Sequence, residues 1–244
     1  MKKNLFLKYI GLLIGVLNIV ETSSYASALK ITPMSLELSS GDMITTLKVT
    51  NVSDEPVVLQ TEVKDWEQEN NEDIHNPTKD IVISPPLIKI GSQEQQIFRL
   101  AVRKKKIKDK EIAYRIYLTE VPQSIVAKKN TIQTLLSLSL PLFIKPDNSV
   151  ESPPLWSIAR GEKGIIKVGL LNQGNEHLKI TKIKVQTAEN GKILVEQEIL
   201  DYILPLKKKE WSLKIPPSFK GSEVFVCVET NKGEISQTLH LPVS

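Results

Sequence analysis

Apolar and polar residues alternate in short runs from Leu29 onward, and clusters of Gly, Pro, Asn, Asp and Ser stand between the runs. Period-two alternation is the pattern of a half-buried β-strand, and such clusters are turn signals. Strands are expected at Leu29–Ile31, Leu36–Leu38, Thr45–Asn51, Val57–Trp66, Ile81–Ser84, Leu87–Ile90, Gln95–Val102, Glu111–Val121 and 131–144. Residues 67–79 are polar and read as a loop. Pro146-Asp147-Asn148, with Pro153-Pro154 beyond, is the best linker. After it come strands near 155–159, 164–171, 177–186, 191–199, 209–214, 223–229 and 235–242, with hairpin-type turns at Asn172–Asn175 and Glu189–Gly191. No amphipathic helix of usable length is found. Roughly seven short strands per half, with turns about every 8–12 residues, is the signature of immunoglobulin-like sandwiches. The expected fold is all-β, with two such domains over 29–146 and 147–244.

Residues 132–140 come close to a strict alternation on one parity. Ile132, Leu136, Leu138 and Leu140 share one face with Thr134, while Gln133, Ser137 and Ser139 take the other, broken only by Leu135. Such a strand is either core or a surface that pairs with another chain.

The N-terminus changes which residues enter the fold. Lys2, Lys3 and Lys8 precede an apolar run from Tyr9 to Val20, and Ala26-Ser27-Ala28 is a small-x-small cleavage site. The run is too short to span a bilayer, so residues 1–28 read as a cleaved export signal and the mature chain begins near Leu29. No later stretch approaches membrane-spanning length, so stable membrane insertion is not expected. Removing Lys2, Lys3, Lys8 and Glu21 lowers the net charge from +4 to +2. That is no nucleic-acid footprint. The runs Arg103–Lys106 and Lys207–Lys209 read as solvated loops or strand edges. Cys227 is the only cysteine, so the exported chain has no internal disulfide and folds on its core alone. Within Val-Phe-Val-Cys-Val it reads as a packed small hydrophobe.

Catalytic chemistry finds no residues to rest on. His75, His177 and His240 each stand alone in sequence, without a second ligand at metal spacing. There is no Gly-rich phosphate loop, no G-x-S-x-G and no H-E-x-x-H. The acidic run Glu67–Asp73 lacks the alternating spacing and central Gly of a calcium loop. No metal or cofactor is expected. The chain reads as a non-enzymatic binding protein, and one form this could take is an exported two-domain adhesion or glycan-binding protein. Such a protein would need exposed aromatics, for which Trp66, Trp156 and Trp211 are available.

Several stretches resemble the periplasmic pilus-assembly chaperones, the PapD-like family. They are Ile31-Thr32-Pro33 with Leu36–Gly41, Leu47–Asn51 with Glu55-Pro56-Val57, Ile83–Pro86 with Gln95–Leu100, Ala113–Pro122, and Leu138–Pro146. The resemblance covers nearly all of 29–146 and thins beyond, where Leu171–Asn175 matches best. Leu-Thr-Glu-Val-Pro and Leu-Ser-Leu-Pro look most like the archaic, spore-coat-protein-like branch, and the short Gln123–Asn130 connection resembles the short-loop kind.

The resemblance implies two immunoglobulin-like domains set like a boomerang. It also implies a periplasmic chaperone that binds pilin-like fimbrial subunits by donor-strand complementation and delivers them to an outer-membrane usher. By position, the donor residues would be Ile132, Thr134, Leu136, Leu138 and Leu140. The better-known branch grips the subunit's terminal carboxylate with an Arg and a Lys, where this chain has Ser35 and Pro141. Arg115 is the candidate cation for that task, with an internal ion pair as its other reading. Arg99, Glu111 and Lys145 are candidates for locking the domains together, although the expected acidic partner near Ser218 is missing. An apolar open edge also leaves room for self-association of the free chain.

Overall fold

The computed structural model describes residues 28–39, 41–103, 109–122 and 134–242. The expectations for residues 1–27, for Gln123–Asn130 and for Ile132 lie outside them. Among the described residues there are seventeen strands and no helix. They are β1 (Leu29–Thr32), β2 (Leu36–Leu38), β3 (Ile44–Asn51), β4 (Val57–Glu69), β5 (Glu72–Pro77), β6 (Ile81–Ser84), β7 (Leu87–Ile90), β8 (Gln95–Val102), β9 (Ile112–Glu120), β10 (Ser137–Ile144), β11 (Leu155–Arg160), β12 (Ile165–Leu171), β13 (Leu178–Gln186), β14 (Ile193–Ile203), β15 (Lys208–Lys214), β16 (Glu223–Thr230) and β17 (Gly233–His240).

The first sandwich faces a sheet ordered β1-β3-β8-β6 against one ordered β2-β10-β9-β4-β5, with β7 pairing the start of β4. The second faces β11-β12-β15 against β14-β13-β16-β17. Alternation turns one parity of each strand inward. Leu47, Val49, Leu59, Phe98, Leu100, Ile116, Leu118 and Leu142 build the first core. Ile166, Val168, Leu170, Ile180, Ile183, Val226 and Val228 build the second. Each fully buried side chain of this size contributes about 1.5–3 kcal/mol relative to exposure, which lets both sandwiches stand without a disulfide. Cys227 is buried as a free thiol.

The two sandwiches turn one corner alike. Asn51, at the end of β3, is fully buried and its amide donates to the carbonyls of Glu55 and Gly91 at 2.8 and 3.0 Å. Asn172, after β12, is equally buried and donates to Glu176 and Ile203 at 2.7 and 3.0 Å. A buried amide persists when its bonds are made, so these two side chains staple the turns that follow them.

Two expectations are corrected. Residues 67–79 are not a loop. β4 runs on to Glu69 and returns as β5 through Asn70 and Asn71, whose φ values are 50° and 71°. A two-residue turn with both central residues in the left-handed region is the hairpin turn whose twist matches the strands, and Asn tolerates it. Asn172–Asn175 is not a hairpin, because β12 and β13 lie in different sheets. The turn at Glu189–Gly191 does join paired strands, with Asn190 at φ 57°.

Candidate functional site

β10 brings the alternating leucines to the face that continues the first core. Leu142 and Leu140 are 0% and 3% exposed within that core. Leu138 is half-buried and packs against its margin. Leu136 is half-buried outside the cluster, and Thr134 is exposed. β10 begins at Ser137, so Thr134–Leu136 of the strand expected over 131–144 precede it without strand pairing, and the face passes from core to surface along β10 and the residues just before it. Leu140 belongs to the chain's own core, whereas Leu136 and the outer part of Leu138 remain available.

The edge of β10 changes along the same line. Its full length pairs with β9 on one side. On the other, β2 pairs only with Leu142, Phe143 and Ile144, and no strand among the described residues pairs with Ser137–Pro141. Glu120 N–H donates to Leu136 O at 2.8 Å, and Lys145 N–H donates to Leu38 O at 2.8 Å. Bonded and non-bonded residues alternate in an antiparallel ladder. Leu136, Leu138 and Leu140 therefore turn their backbone groups toward β9, and Ser137, Ser139 and Pro141 turn theirs to the open edge. Proline has no N–H. At Pro141 no donor is stranded between the open edge and the start of β2, which is where an edge strand tolerates proline.

On the outer face of this sheet, Pro77, Lys64, Arg115 and Pro141 stand opposite one another on β5, β4, β9 and β10. Arg115 is thus the direct cross-strand neighbour of Pro141, the position that aligns by resemblance with the lysine of the better-known branch. Its guanidinium carbon lies 3.7 Å from the Trp66 ring centroid and 5.5 Å from that of Tyr202, a residue of the second sandwich. Burial lowers its proton affinity, and Asp73, Tyr202, Tyr117 and Asp201 oppose that shift. Arg115 Nε is buried without a hydrogen-bond partner among the described residues. A desolvated cation over an aromatic face is held by about 2 kcal/mol. Lys64 sits 5.1 Å from the Tyr117 ring centroid and 3.4 Å from Glu62. Tyr117 Oη is 3.0 Å from His75 Nδ1, and burial, followed by Arg115, depresses the His75 pKa.

The residues expected to lock the domains divide. Glu111, 0% exposed at its side chain, holds His177 of the second sandwich. His177 Nδ1 lies 2.9 and 3.0 Å from the two carboxylate oxygens, and its backbone N–H donates to Oε1 at 3.1 Å. Phe143 of β10 stacks on the His177 ring with centroids 3.7 Å apart. Lys145 instead pairs with Glu37 of β2 at 2.6 Å. Arg99 is corrected outright: it is exposed on β8, in the other sheet, between Thr46 and Ser84. Strand parity and sheet order carry it away from Glu111.

Further contacts between the sandwiches come from residues to which the sequence assigns no such role. Trp66, Ala113, Phe143, Tyr202 and Leu204 form one apolar cluster. Gln68, 2% exposed, bonds to the backbone of Tyr202 and Leu204. Asn71 bonds to that of Glu210. Lys209, read as solvated, is buried between Asp73 and Asp201 at 3.6 and 3.4 Å. The Asn70-Asn71 pair was the available signal for the hairpin that carries them.

A family model described as the pili and flagellar-assembly chaperone, PapD N-terminal domain, matches residues 28–150, just over half of the chain. No curated protein sequence matches. Among solved structures, one similar chain is from the CsuC–CsuE chaperone–tip adhesion subunit pre-assembly complex of the archaic chaperone-usher Csu pili of Acinetobacter baumannii. It has 18% identity and a TM-score of 0.63, over 88% of this chain and 98% of that one. Another is from the Salmonella enterica SafA pilin in complex with the SafB chaperone, with 20% identity and a TM-score of 0.59, over 89% and 99%. The Pseudomonas aeruginosa CupB2 chaperone matches at 16% identity and a TM-score of 0.56, over 87% and 100%. At these identities the likeness speaks to the fold, that of two immunoglobulin-like domains.

Proposed function

The chain belongs to the pili and flagellar-assembly chaperone family, and from that premise we propose that it is a non-enzymatic periplasmic chaperone. It captures pilin-like subunits on the open edge of β10 and passes them to an outer-membrane usher. The single observation that carries this reading is an edge of β10 that β2 closes at Leu142–Ile144 and that no strand among the described residues closes at Ser137–Pro141. Residues 1–28 direct export, residues 29–146 form the capture domain, and residues 147–244 form the second.

The mechanism follows from the edge. Ser137 and Ser139 offer a donor and an acceptor each, and Pro141 an acceptor only. Backbone pairing of this kind is independent of the partner's sequence, and apolar pegs at period two fix its register. Leu136 and the outer part of Leu138 supply pegs, with Thr134 and Ile132 continuing the series. Arg115, beside the inner end of the edge, meets the subunit's terminal carboxylate, since a carboxylate leaving water needs a charged donor. No nucleotide is required; a better-packed fibre drives release. A glycan-binding reading is disfavoured, because Trp66 is buried and Trp156 and Trp211 pack against the second core.

Leu136→Asp tests the reading, because Leu136 lies outside the core cluster and the variant keeps its fold. Pull-down from periplasmic extract with the tagged chain should recover a pilin-sized partner with the wild type and almost none with the variant. Arg115→Ala should lower the yield as well. Equal recovery from all three chains would overturn the site.

A further inference from the structure

We propose that the β4–β5 hairpin is a strap holding the second sandwich to the first, and that Gln68 and Asn71 are positioning residues for capture because the strap places Tyr202 beside Arg115. The part concerning capture rests on the function proposed above.

The strap works by side-chain amides that imitate neighbouring strands. Gln68 Nε2 donates to Tyr202 O at 2.8 Å, and Leu204 N–H donates to Gln68 Oε1 at 2.9 Å. Asn71 Nδ2 donates to Glu210 O at 3.1 Å, and Glu210 N–H donates to Asn71 Oδ1 at 2.6 Å. β15, which carries Glu210, is the edge strand of its sheet, and Asn71 occupies the backbone groups that this edge leaves open. Lys209, next to Glu210, adds the ion pairs to Asp73 of β5 and Asp201 of β14. Each amide satisfies two backbone groups of the other sandwich. Withdrawing Gln68 would leave Tyr202 O and Leu204 N–H buried without those partners, a costly state.

The same hairpin builds the surroundings of Arg115. Trp66 of β4 supplies the nearer aromatic face, and Tyr202, whose carbonyl Gln68 holds, supplies the other. The Tyr202 and Trp66 rings meet edge to face at 5.4 Å. If the second sandwich swings away, Arg115 keeps Trp66 and loses Tyr202. Gln68 and Asn71 touch no subunit in this scheme; they act through Tyr202 on Arg115.

Asn71→Gly removes the amide and still accepts the left-handed φ of 71°, so the turn survives. Asn71→Asp keeps the acceptor for Glu210 N–H and sets an oxygen against Glu210 O. Spin labels on Lys48→Cys and Gln237→Cys, one exposed site on each sandwich, report the interdomain distance, and buried Cys227 stays unlabelled. The wild type should give a narrow distance distribution. Gln68→Ala and Asn71→Gly should broaden it, and Asn71→Asp should broaden it less.

Capture of the subunit that co-purifies with the tagged chain should fall on the order of tenfold with Asn71→Gly, about the worth of the lost hydrogen bonds. In an Arg115→Ala background the same change should add nothing, because coupled residues do not add. An unchanged distance distribution overturns the strap. A broadened distribution with an equal further loss of capture in the Arg115→Ala background overturns the route through Arg115. A wild-type chain that captures nothing overturns the functional reading and the role in capture, while the distances still decide the strap.

Discussion

The two ends of β10 have the same sequence pattern and opposite fates. At the lower end, Leu142 and Ile144 face the core, Phe143 stacks on His177, and β2 and β9 pair on both edges. At the upper end Leu138 and, just before the strand, Leu136 are half-buried, Ser137 and Ser139 are exposed, and among the described residues only β9 pairs. Leucine at alternate positions therefore does not distinguish core from half-exposed surface. What does is whether a second strand closes the edge. β2 is three residues long, and its shortness leaves the upper half of β10 with no second partner among the described residues. An edge of this kind with an apolar face is an aggregation hazard, and a chaperone turns the hazard to use.

The comparison breaks most sharply at Leu142. Leu142→Ala removes a side chain with no exposed surface and should cost about 2–5 kcal/mol, because the cavity adds to the lost transfer energy. Leu136→Ala in the free chain should cost under about 1 kcal/mol. Urea unfolding of the two variants measures both numbers. Equal losses would mean that the upper half of β10 is core after all.

A second break targets the edge without the core. Ser139 turns its N–H to the open side, so Ser139→Pro deletes one edge donor while the ladder to β9 stays whole. Stability should change by no more than about 1 kcal/mol, and subunit recovery should fall several-fold. Unfolding and pull-down on the same preparation separate the outcomes, and full recovery would mean that the captured strand does not bond at that position.

Much of this arrangement is legible in the sequence, because strand periodicity is a local property. The bounds of β2, β6, β7 and β8 follow from alternation and turn residues alone. Among the described residues, the alternation of Leu136, Leu138 and Leu140 is legible for the same reason. Its division at Leu140 is not, since burial depends on where β2 stops pairing. The β4–β5 hairpin escaped because its outward-facing residues are polar: Gln68, Asn71 and Asp73 serve the other sandwich, and a polar run reads as solvent-facing. The partnership of Glu111 with His177 joins residues 66 positions apart, with no local trace. Arg115 stood out as a charge amid strand residues, although its place between Trp66 and Tyr202 needed three strands to be brought together.

The smallest effect sharpens the comparison at the closed end of β10, where charge could be mistaken for the cause of closure. Lys145 and Glu37 meet at 2.6 Å, with 42% and 46% of their side chains exposed. The hydrogen bond to Glu37 comes first among the causes that raise the Lys145 pKa, ahead of the opposing desolvation. A lysine pKa raised by folding adds stability at every pH below its unfolded value, and that stability is lost as the pH climbs through the folded value. At neutral pH the pair therefore contributes in full, yet solvent screening holds an exposed pair to about 0–1 kcal/mol. β2 is fixed instead by the backbone bond from Lys145 N–H to Leu38 O and by buried Leu36 and Leu38, none of which depends on the ammonium. Lys145→Met should lower stability by well under about 1 kcal/mol at neutral pH, and the difference from wild type should shrink with added salt and in strong alkali. Amide exchange should show the Lys145 N–H protected equally in both proteins. Lost protection would make charge, rather than the ladder and the two leucines, the reason one end of β10 is closed and the other is open.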